Sequence, residues 1–184
     1  MTRTLAILAT LLVTSAVQCR LFCLKTTDVT PAHVKVDLKR YQGRWYSIAS
    51  IDHPSLGDCV CSTAEYTLLK SGKIEVLNIC STAQNKKVVA PGLAVPRNTD
   101  NTKLEVFFYG HGYPYWIMAI GNTQNYDHVI IGGPERLGLY ILSRTPQMAT
   151  KTYNSLVAVA KAQGYDTSKL VKAQVKYCLK NKTF

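Results

Sequence analysis

The sequence predicts a mostly β protein: a closed antiparallel barrel with one C-terminal helix packed on its outer wall. Between residues 43 and 143, short segments alternate apolar and polar side chains, as half-buried strands do, and glycine-containing turns separate several of them. Gly43-Arg44-Trp45 opens this region and Ile141 to Pro146 closes it, which suggests a barrel plugged at one end by a tryptophan under an arginine. A plugged barrel is a cup, and such cups typically hold a small apolar molecule.

The N-terminus has the pattern of a secretory signal peptide. Arg3 supplies a positive charge, Leu5 to Val13 form a short apolar run, and the small residues Thr14, Ser15 and Ala16 follow. We therefore expect residues 1–16 to be removed and residues 17–184 to form a single domain in a secreted, extracellular protein.

A membrane-anchored lipoprotein is the alternative location. In that case Cys19 or Cys23 would carry the lipid, but Gln18 and Phe22 precede them where a small residue would be expected.

The composition is that of a globular domain with a basic surface. Hydrophobic residues make up 47% of the 184-residue chain, charged residues 18%, and the net charge is +11. The lysines are scattered, which favours a solvated surface over a dedicated site, although attraction to an anionic ligand or membrane is the other interpretation. No basic stripe with interleaved aromatic residues is present, so nucleic-acid binding is not expected.

The first elements follow an irregular arm that spans residues 17–40. Asp37 to Tyr41 can form one helical turn, and Trp45 to Ile51 reads as a strand. In Ala64 to Leu68, the alanine, tyrosine and leucine share one face of a strand.

Alternation on three strands assigns residues to the barrel interior. After the Ser71-Gly72 turn, Ile74, Val76 and Asn78 face one way, and Leu104, Val106 and Phe108 do so on a later strand. This parity places Tyr66, Asn78 and Phe108 inside.

The later strands are apolar on both faces, as strands covered on both sides are. They are Tyr115 to Ile120, Val129 to Ile131 and Leu139 to Leu142. The expected cover is a helix from Gln147 to Gln163, which has apolar residues at helical spacing and ends at Gly164.

Two motifs resemble the signature of the lipocalin family. Gly43-Arg44-Trp45-Tyr46 follows a short turn, and Ser143-Arg144 ends the last main strand. The similar segments cover most of residues 37–178, and the chain is most similar to the branch of apolipoprotein D and the bacterial lipocalin Blc. The resemblance implies an eight-stranded up-and-down calycin barrel. In it, Gly43, Trp45 and Arg144 are structural residues, because an arginine stacked on tryptophan gains ~1–2 kcal/mol when desolvated.

Six cysteines behind an export signal point to disulfide bonds, and six cysteines allow fifteen pairings. The resemblance implies two of them, Cys61–Cys178 and Cys59–Cys80. The relatives tie the N-terminal arm to a later strand, but this chain has Gly132-Gly133 there. Cys19 and Cys23 are left to pair with each other, or one of them is free.

The resemblance also implies a set of ligand-binding residues and a function. The set is Tyr66, Asn78, Phe108, Tyr115 and Tyr140, and core filling is the alternative role for each aromatic residue. We expect a carrier of a small hydrophobic or amphipathic ligand such as a fatty acid or lysophospholipid. Lys86 and Lys87 are candidates to attract its carboxylate or phosphate.

Three other functions are considered. A lipocalin-type isomerase would need a free cysteine in the barrel, and Cys80 continues the inward parity of Asn78. A defence protein that sequesters lipids or partners is the second alternative. Haem or metal binding is not expected, because His33, His53, His111 and His128 lack ligand spacing, so we expect no enzyme activity, cofactor or metal.

Overall fold

The structure is a computed structural model that describes residues 28–51, 59–84, 86–121 and 124–180. The expected signal peptide, residues 1–16, lies outside these ranges. The expected pairing of Cys19 with Cys23 also lies outside the described residues.

Eight antiparallel strands form the predicted barrel. Each strand pairs with the next along the chain, and β1 pairs with both β2 and β8, so the sheet closes on itself. The strands are β1 Gly43–Ile51, β2 Cys59–Leu68, β3 Ile74–Thr82, β4 Lys87–Pro96, β5 Lys103–Phe108, β6 His111–Ile120, β7 His128–Gly132 and β8 Leu139–Ser143.

One strand, β4, is not identified by alternation in the sequence. It contains Pro91 and Gly92, which ordinarily mark the end of a strand. In the barrel it pairs with β3 over eight residues and with β5 over four, and these neighbours hold it in the sheet.

The helices lie close to their predicted positions. Asp37 caps the short helix α1, Leu38–Tyr41, by accepting a hydrogen bond from the backbone N–H of Lys39. Helix α2, Thr150–Ala162, begins three residues later than predicted, because a bend through Pro146 and an extended Ala149 precede it.

The C-terminal segment crosses the outside of the barrel. After a 3₁₀ turn at Thr167–Lys169, strand β9, Val171–Lys172, pairs with β1, and helix α3, Val175–Lys180, packs near β2. Within the described ranges, no helix has the length and apolarity needed to cross a membrane.

Two apolar cores explain why the late strands are apolar on both faces. Trp45, Val129 and Leu142 belong to the core inside the barrel. Ile130 and Ile141, their neighbours on the same strands, point outward and pack with Leu156 of α2 and the residues around it. The helix therefore covers the β7–β8 face of the barrel, as the sequence predicts.

Two disulfide bonds join described cysteines: Cys59–Cys80 and Cys61–Cys178. These are the pairings that the resemblance implies. The first links the start of β2 to the end of β3. The second ties α3, and with it the C-terminal segment, to the outer face of β2.

Removing the disulfides one at a time should destabilise the protein to different degrees. In the chain-entropy model, Cys61→Ser/Cys178→Ser lowers the free energy of unfolding by about 4–5 kcal/mol and Cys59→Ser/Cys80→Ser by about 3 kcal/mol. The reason is that the cysteines are 117 residues apart in the first pair and 21 in the second. Urea denaturation of both variants measures the two losses of stability. A larger loss on removal of Cys59–Cys80 than of Cys61–Cys178 would contradict the prediction.

Candidate functional site

The closed end of the barrel is sealed by the guanidinium of Arg144, which stacks over Trp45 with its Cζ 3.9 Å from the ring centroid. Its Nη1 donates to the carbonyl of Arg44 at 2.9 Å, and its Nη2 donates to the carbonyls of Arg40 and Tyr41 at 2.7 and 3.2 Å. Two of these carbonyls lie at the C-terminal end of α1, where backbone acceptors lack helical partners. One arginine therefore joins β1, α1 and the end of β8.

Gly43 supplies the backbone conformation at this point. Its φ is +92°, which residues other than glycine rarely adopt, whereas a Cβ there would make only an ordinary contact with Nη1 of Arg144 at 3.5 Å. Two residues later, Trp45 is fully buried, and its indole N–H donates to the carbonyl of Tyr41 at 2.9 Å. The arrangement agrees with the structural role expected for Gly43, Trp45 and Arg144.

Three tyrosines lie above the tryptophan and form the floor of the cup. The ring of Tyr41 is 5.1 Å from that of Trp45 and stacks on Tyr66 at 5.6 Å, while Tyr115 meets Tyr66 edge-on at 6.2 Å. The Tyr41 and Tyr115 hydroxyls are 2.6 Å apart, and Tyr115 donates to Tyr66 at 3.1 Å. Two hydrogen bonds use two of three phenolic protons. Within the described residues, one proton remains for a ligand oxygen or a water.

The floor is electrically neutral. Burial raises the pKa of Tyr66 to about 12 and raises those of Tyr41 and Tyr115 well above their ordinary value. All three phenols are therefore protonated at physiological pH. The charge of Arg144 lies on the far side of Trp45, engaged with backbone carbonyls.

Above the floor, the barrel wall carries small side chains on β2 to β4 and aromatic side chains on β5 to β8. On β2 to β4, Ser62, Asn78 and Ala90 have inward parity, because the register pairs Asn78 with both Ala64 of the interior core and Ala90. On β5 to β8, the inward residues include Phe108 and Tyr140, which pack against the interior core, as well as Tyr115 from the floor. Asn78, Phe108 and Tyr140 are only half-buried although they face the barrel axis. Solvent therefore reaches the inner wall of the barrel at this level.

Gly92 lets Phe108 lie against the wall. A Cβ at this position would come 2.5 Å from Cε1 of Phe108 and 2.8 Å from the carbonyl oxygen of Phe107. Any larger residue would push the phenyl ring towards the axis. Gly92 thus keeps this side of the cup open.

The five residues expected to bind a ligand divide between the floor and the upper wall. Tyr66 and Tyr115 form the hydroxyl chain of the floor, and Asn78, Phe108 and Tyr140 lie above it. Which of them contacts a ligand stays a prediction.

Sequence reasoning missed two contributors to the cup. Tyr41 comes just before the Gly43 motif, but nothing else in the sequence predicts that it contributes to the floor. No sequence pattern predicts the role of Gly92, because its contact with Phe108 crosses between β4 and β5.

The mouth is lined by hairpin connections and one disulfide. Lys86 and Lys87 are exposed where β3 turns into β4. Cys80 continues the inward parity of β3 and is bonded to Cys59, so it holds no free thiol. Among the residues that the structure describes, no group of three histidine, cysteine or acidic side chains could hold a metal ion.

A separate groove of about 730 Å³ lies outside the closed end. Residues 34–40 of the N-terminal arm line it, together with Leu68, Asn101 and Tyr126. Trp45 and Tyr41 are buried and do not line this groove.

Comparisons with known proteins agree with the geometry. A family model described as a lipocalin-like domain matches residues 36–175. The temperature-induced lipocalin-1 of Arabidopsis thaliana is 38% identical over 149 residues, covering 74% of this chain and 78% of the plant protein. The outer membrane lipoprotein Blc of Escherichia coli K12 is 33% identical over 144 residues, 75% of this chain and 78% of Blc. Apolipoprotein D of Mus musculus is 30% identical over 158 residues, 80% and 82% of the two chains.

Solved structures share the fold. Insecticyanin from the tobacco hornworm Manduca sexta superposes with a TM-score of 0.62 over 80% of this chain and 84% of its own, at 20% identity. At that identity the likeness shows the fold alone.

The buried phenols make the protein sensitive to alkali. The pKa of Tyr66 is raised from 10.0 in the unfolded chain to about 12 in the fold, so its contribution is complete below pH 10. The contribution is then lost between about pH 10 and 12, a fall of roughly 2–3 kcal/mol in the free energy of unfolding. Denaturant titrations across this range should show the fall, with a smaller fall in Tyr66→Phe. Equal slopes in both proteins would contradict the prediction.

Proposed function

Because the chain belongs to the lipocalin family, whose members bind small hydrophobic ligands, we propose that it is a carrier that binds an amphipathic lipid in its barrel. Fatty acids and lysophospholipids are the ligand classes that fit best. The observation that carries this proposal is a neutral, tightly packed aromatic floor below inward-facing side chains that are partly exposed to solvent.

The neutral floor supports a ligand that enters with its apolar tail first. Each methylene buried against Phe108, Tyr115 and Tyr140 contributes ~0.8 kcal/mol before the costs of association. A long acyl chain then reaches micromolar affinity or better, which corresponds to about 8 kcal/mol. A carboxylate at the floor would lose its hydration, and the neutral phenols would offer it no positive charge in return.

The charged head group would therefore remain at the mouth. Lys86 and Lys87 are exposed there and are the cations of the β3–β4 connection among the described residues. Their side chains attract a carboxylate or phosphate through solvent, which raises affinity modestly and makes it depend on salt.

Two alternatives differ in what they require of the site. An isomerase of the lipocalin type needs a thiolate in the barrel, and Cys80 does not supply one because it is bonded to Cys59. A defence protein that sequesters lipids would use the same cup, so it differs in biological role and not in binding chemistry.

The two disulfide bonds support an oxidising location, extracellular or periplasmic. We propose secretion directed by a signal peptide at residues 1–16, with anchoring through Cys19 or Cys23 as the alternative. Mass spectrometry of the exported protein decides between them by the mass of its N-terminal peptide.

Filling the cup should abolish lipid binding. Ala90→Trp places an indole inside the upper barrel, whereas Val89→Trp puts the same side chain on the outer surface one residue away. We expect Ala90→Trp to weaken binding of a fluorescent fatty acid by about tenfold or more, because it displaces several methylenes. Val89→Trp should bind as the unchanged protein does. Equal affinity in both variants would overturn the proposal.

The lysines at the mouth are tested by reversing their charge. Lys86→Glu/Lys87→Glu should weaken fatty-acid binding by about threefold to tenfold and reduce its salt dependence, because a screened attraction becomes a repulsion. A fatty alcohol of the same length should bind both proteins equally. Unchanged fatty-acid affinity and salt dependence would show that the lysines play no part.

A further inference from the structure

The mouth of the barrel exposes large apolar side chains from three neighbouring connections. Tyr109 at the β5–β6 turn is 78% exposed and Leu137 in the β7–β8 connection is 74% exposed. Val88 at the start of β4 and Tyr113 near the start of β6 are each about half exposed. We call these four residues the apolar rim. They lie at one end of the molecule, opposite the sealed floor, and surround the entrance to the cup.

Tyr109 occupies its place at a conformational cost. Phe108 and His111 pair directly, so Tyr109 and Gly110 form a two-residue turn, and their φ angles are +50° and +85°. Turns of this type favour asparagine or aspartate followed by glycine, and a bulky residue with positive φ is unusual. The exposed ring gains little packing in return. Asparagine at this position would adopt the same turn at a lower cost.

The charges of the same three connections favour an anionic partner. Lys86 and Lys87 lie beside Val88, and Glu135 is the carboxylate in the described parts of these connections. The whole chain carries a net charge of +11, which attracts it to a negative surface at long range. Asp52 and Asp58 belong to the fourth connection, residues 52–58, which lies outside the described residues.

We propose that the apolar rim docks the protein, mouth first, on an anionic phospholipid bilayer. Tyrosine is suited to the membrane interface, where its ring lies among the head groups and its hydroxyl stays hydrated. Apolar insertion combined with nearby lysines is the usual basis of reversible binding at such surfaces. Docking in this orientation opens the cup directly onto the lipid. The inference deepens the carrier function and rests on it for its purpose, while the binding itself is separately measurable.

The test uses a variant that removes the rim without weakening the fold. Tyr109→Asn installs the residue that the turn prefers, and Leu137→Ser shortens an exposed side chain. The matched control is Leu69→Ser, because Leu69 is also exposed but lies in the β2–β3 connection at the closed end, away from the mouth. Co-sedimentation with vesicles of phosphatidylcholine, alone and mixed with phosphatidylglycerol, measures binding. Urea denaturation measures stability alongside.

We expect the unchanged protein to bind the mixed vesicles more tightly than the neutral ones. Tyr109→Asn/Leu137→Ser should reduce that binding by about tenfold or more, since two inserted side chains are lost. Its stability should be equal or higher, a result that a purely structural role for Tyr109 would not give. Leu69→Ser should bind like the unchanged protein.

Three results would overturn the proposal. The rim variant could bind vesicles as well as the unchanged protein does, or the control could lose as much. The unchanged protein could also fail to bind vesicles while the rim variant alters its sedimentation in ultracentrifugation, which would make the rim a contact between two copies. Titration with a fatty acid in the absence of vesicles tests the carrier function independently.

Discussion

The stack of Arg144 on Trp45 is the interaction on which the rest of the structure depends. It half-buries a cation against an indole and satisfies carbonyls of the first helix and of β1 at the same time. A buried charge is tolerated only when its hydrogen-bonding groups are satisfied, and here the partners are backbone atoms that the folded chain alone brings together. The stack thereby joins residues a hundred positions apart and closes one end of the barrel.

The sealed end determines the character of the cup. With the guanidinium below the tryptophan, the surface that faces the interior consists of tyrosine rings whose hydroxyls bond to each other. Such a floor offers apolar area and one spare proton donor but no ionic partner. Any charge on a ligand is better placed in water at the mouth. In the proposed carrier function, the closed end therefore receives the apolar end of the lipid.

The open end has the opposite properties. Above the floor, one half of the wall carries small side chains and the other half aromatic ones, and Gly92 allows Phe108 to lie against the strand beside it. Around the entrance, exposed apolar residues stand beside lysines. Among them is Tyr109, a solvent-exposed tyrosine with positive φ at the tip of a hairpin. The two ends of the barrel thus differ: one is closed by packed, hydrogen-bonded side chains, and the other exposes apolar and cationic ones.

The sequence by itself determined the barrel, seven of its eight strands, the covering helix and the inward parity of Tyr66, Asn78 and Phe108. The inward parity and the covering helix follow from periodicity, which reports local burial and needs no knowledge of neighbours. The later strands follow from apolar runs, and the closed barrel follows from the motifs at its two ends. The tertiary structure decided the rest. Strand β4 is held by its neighbours despite Pro91 and Gly92, and the role of Tyr41 in the floor arises from contacts across the barrel. Whether the upper barrel is filled also depends on how side chains from different strands share one space, and no pattern along a single strand records that.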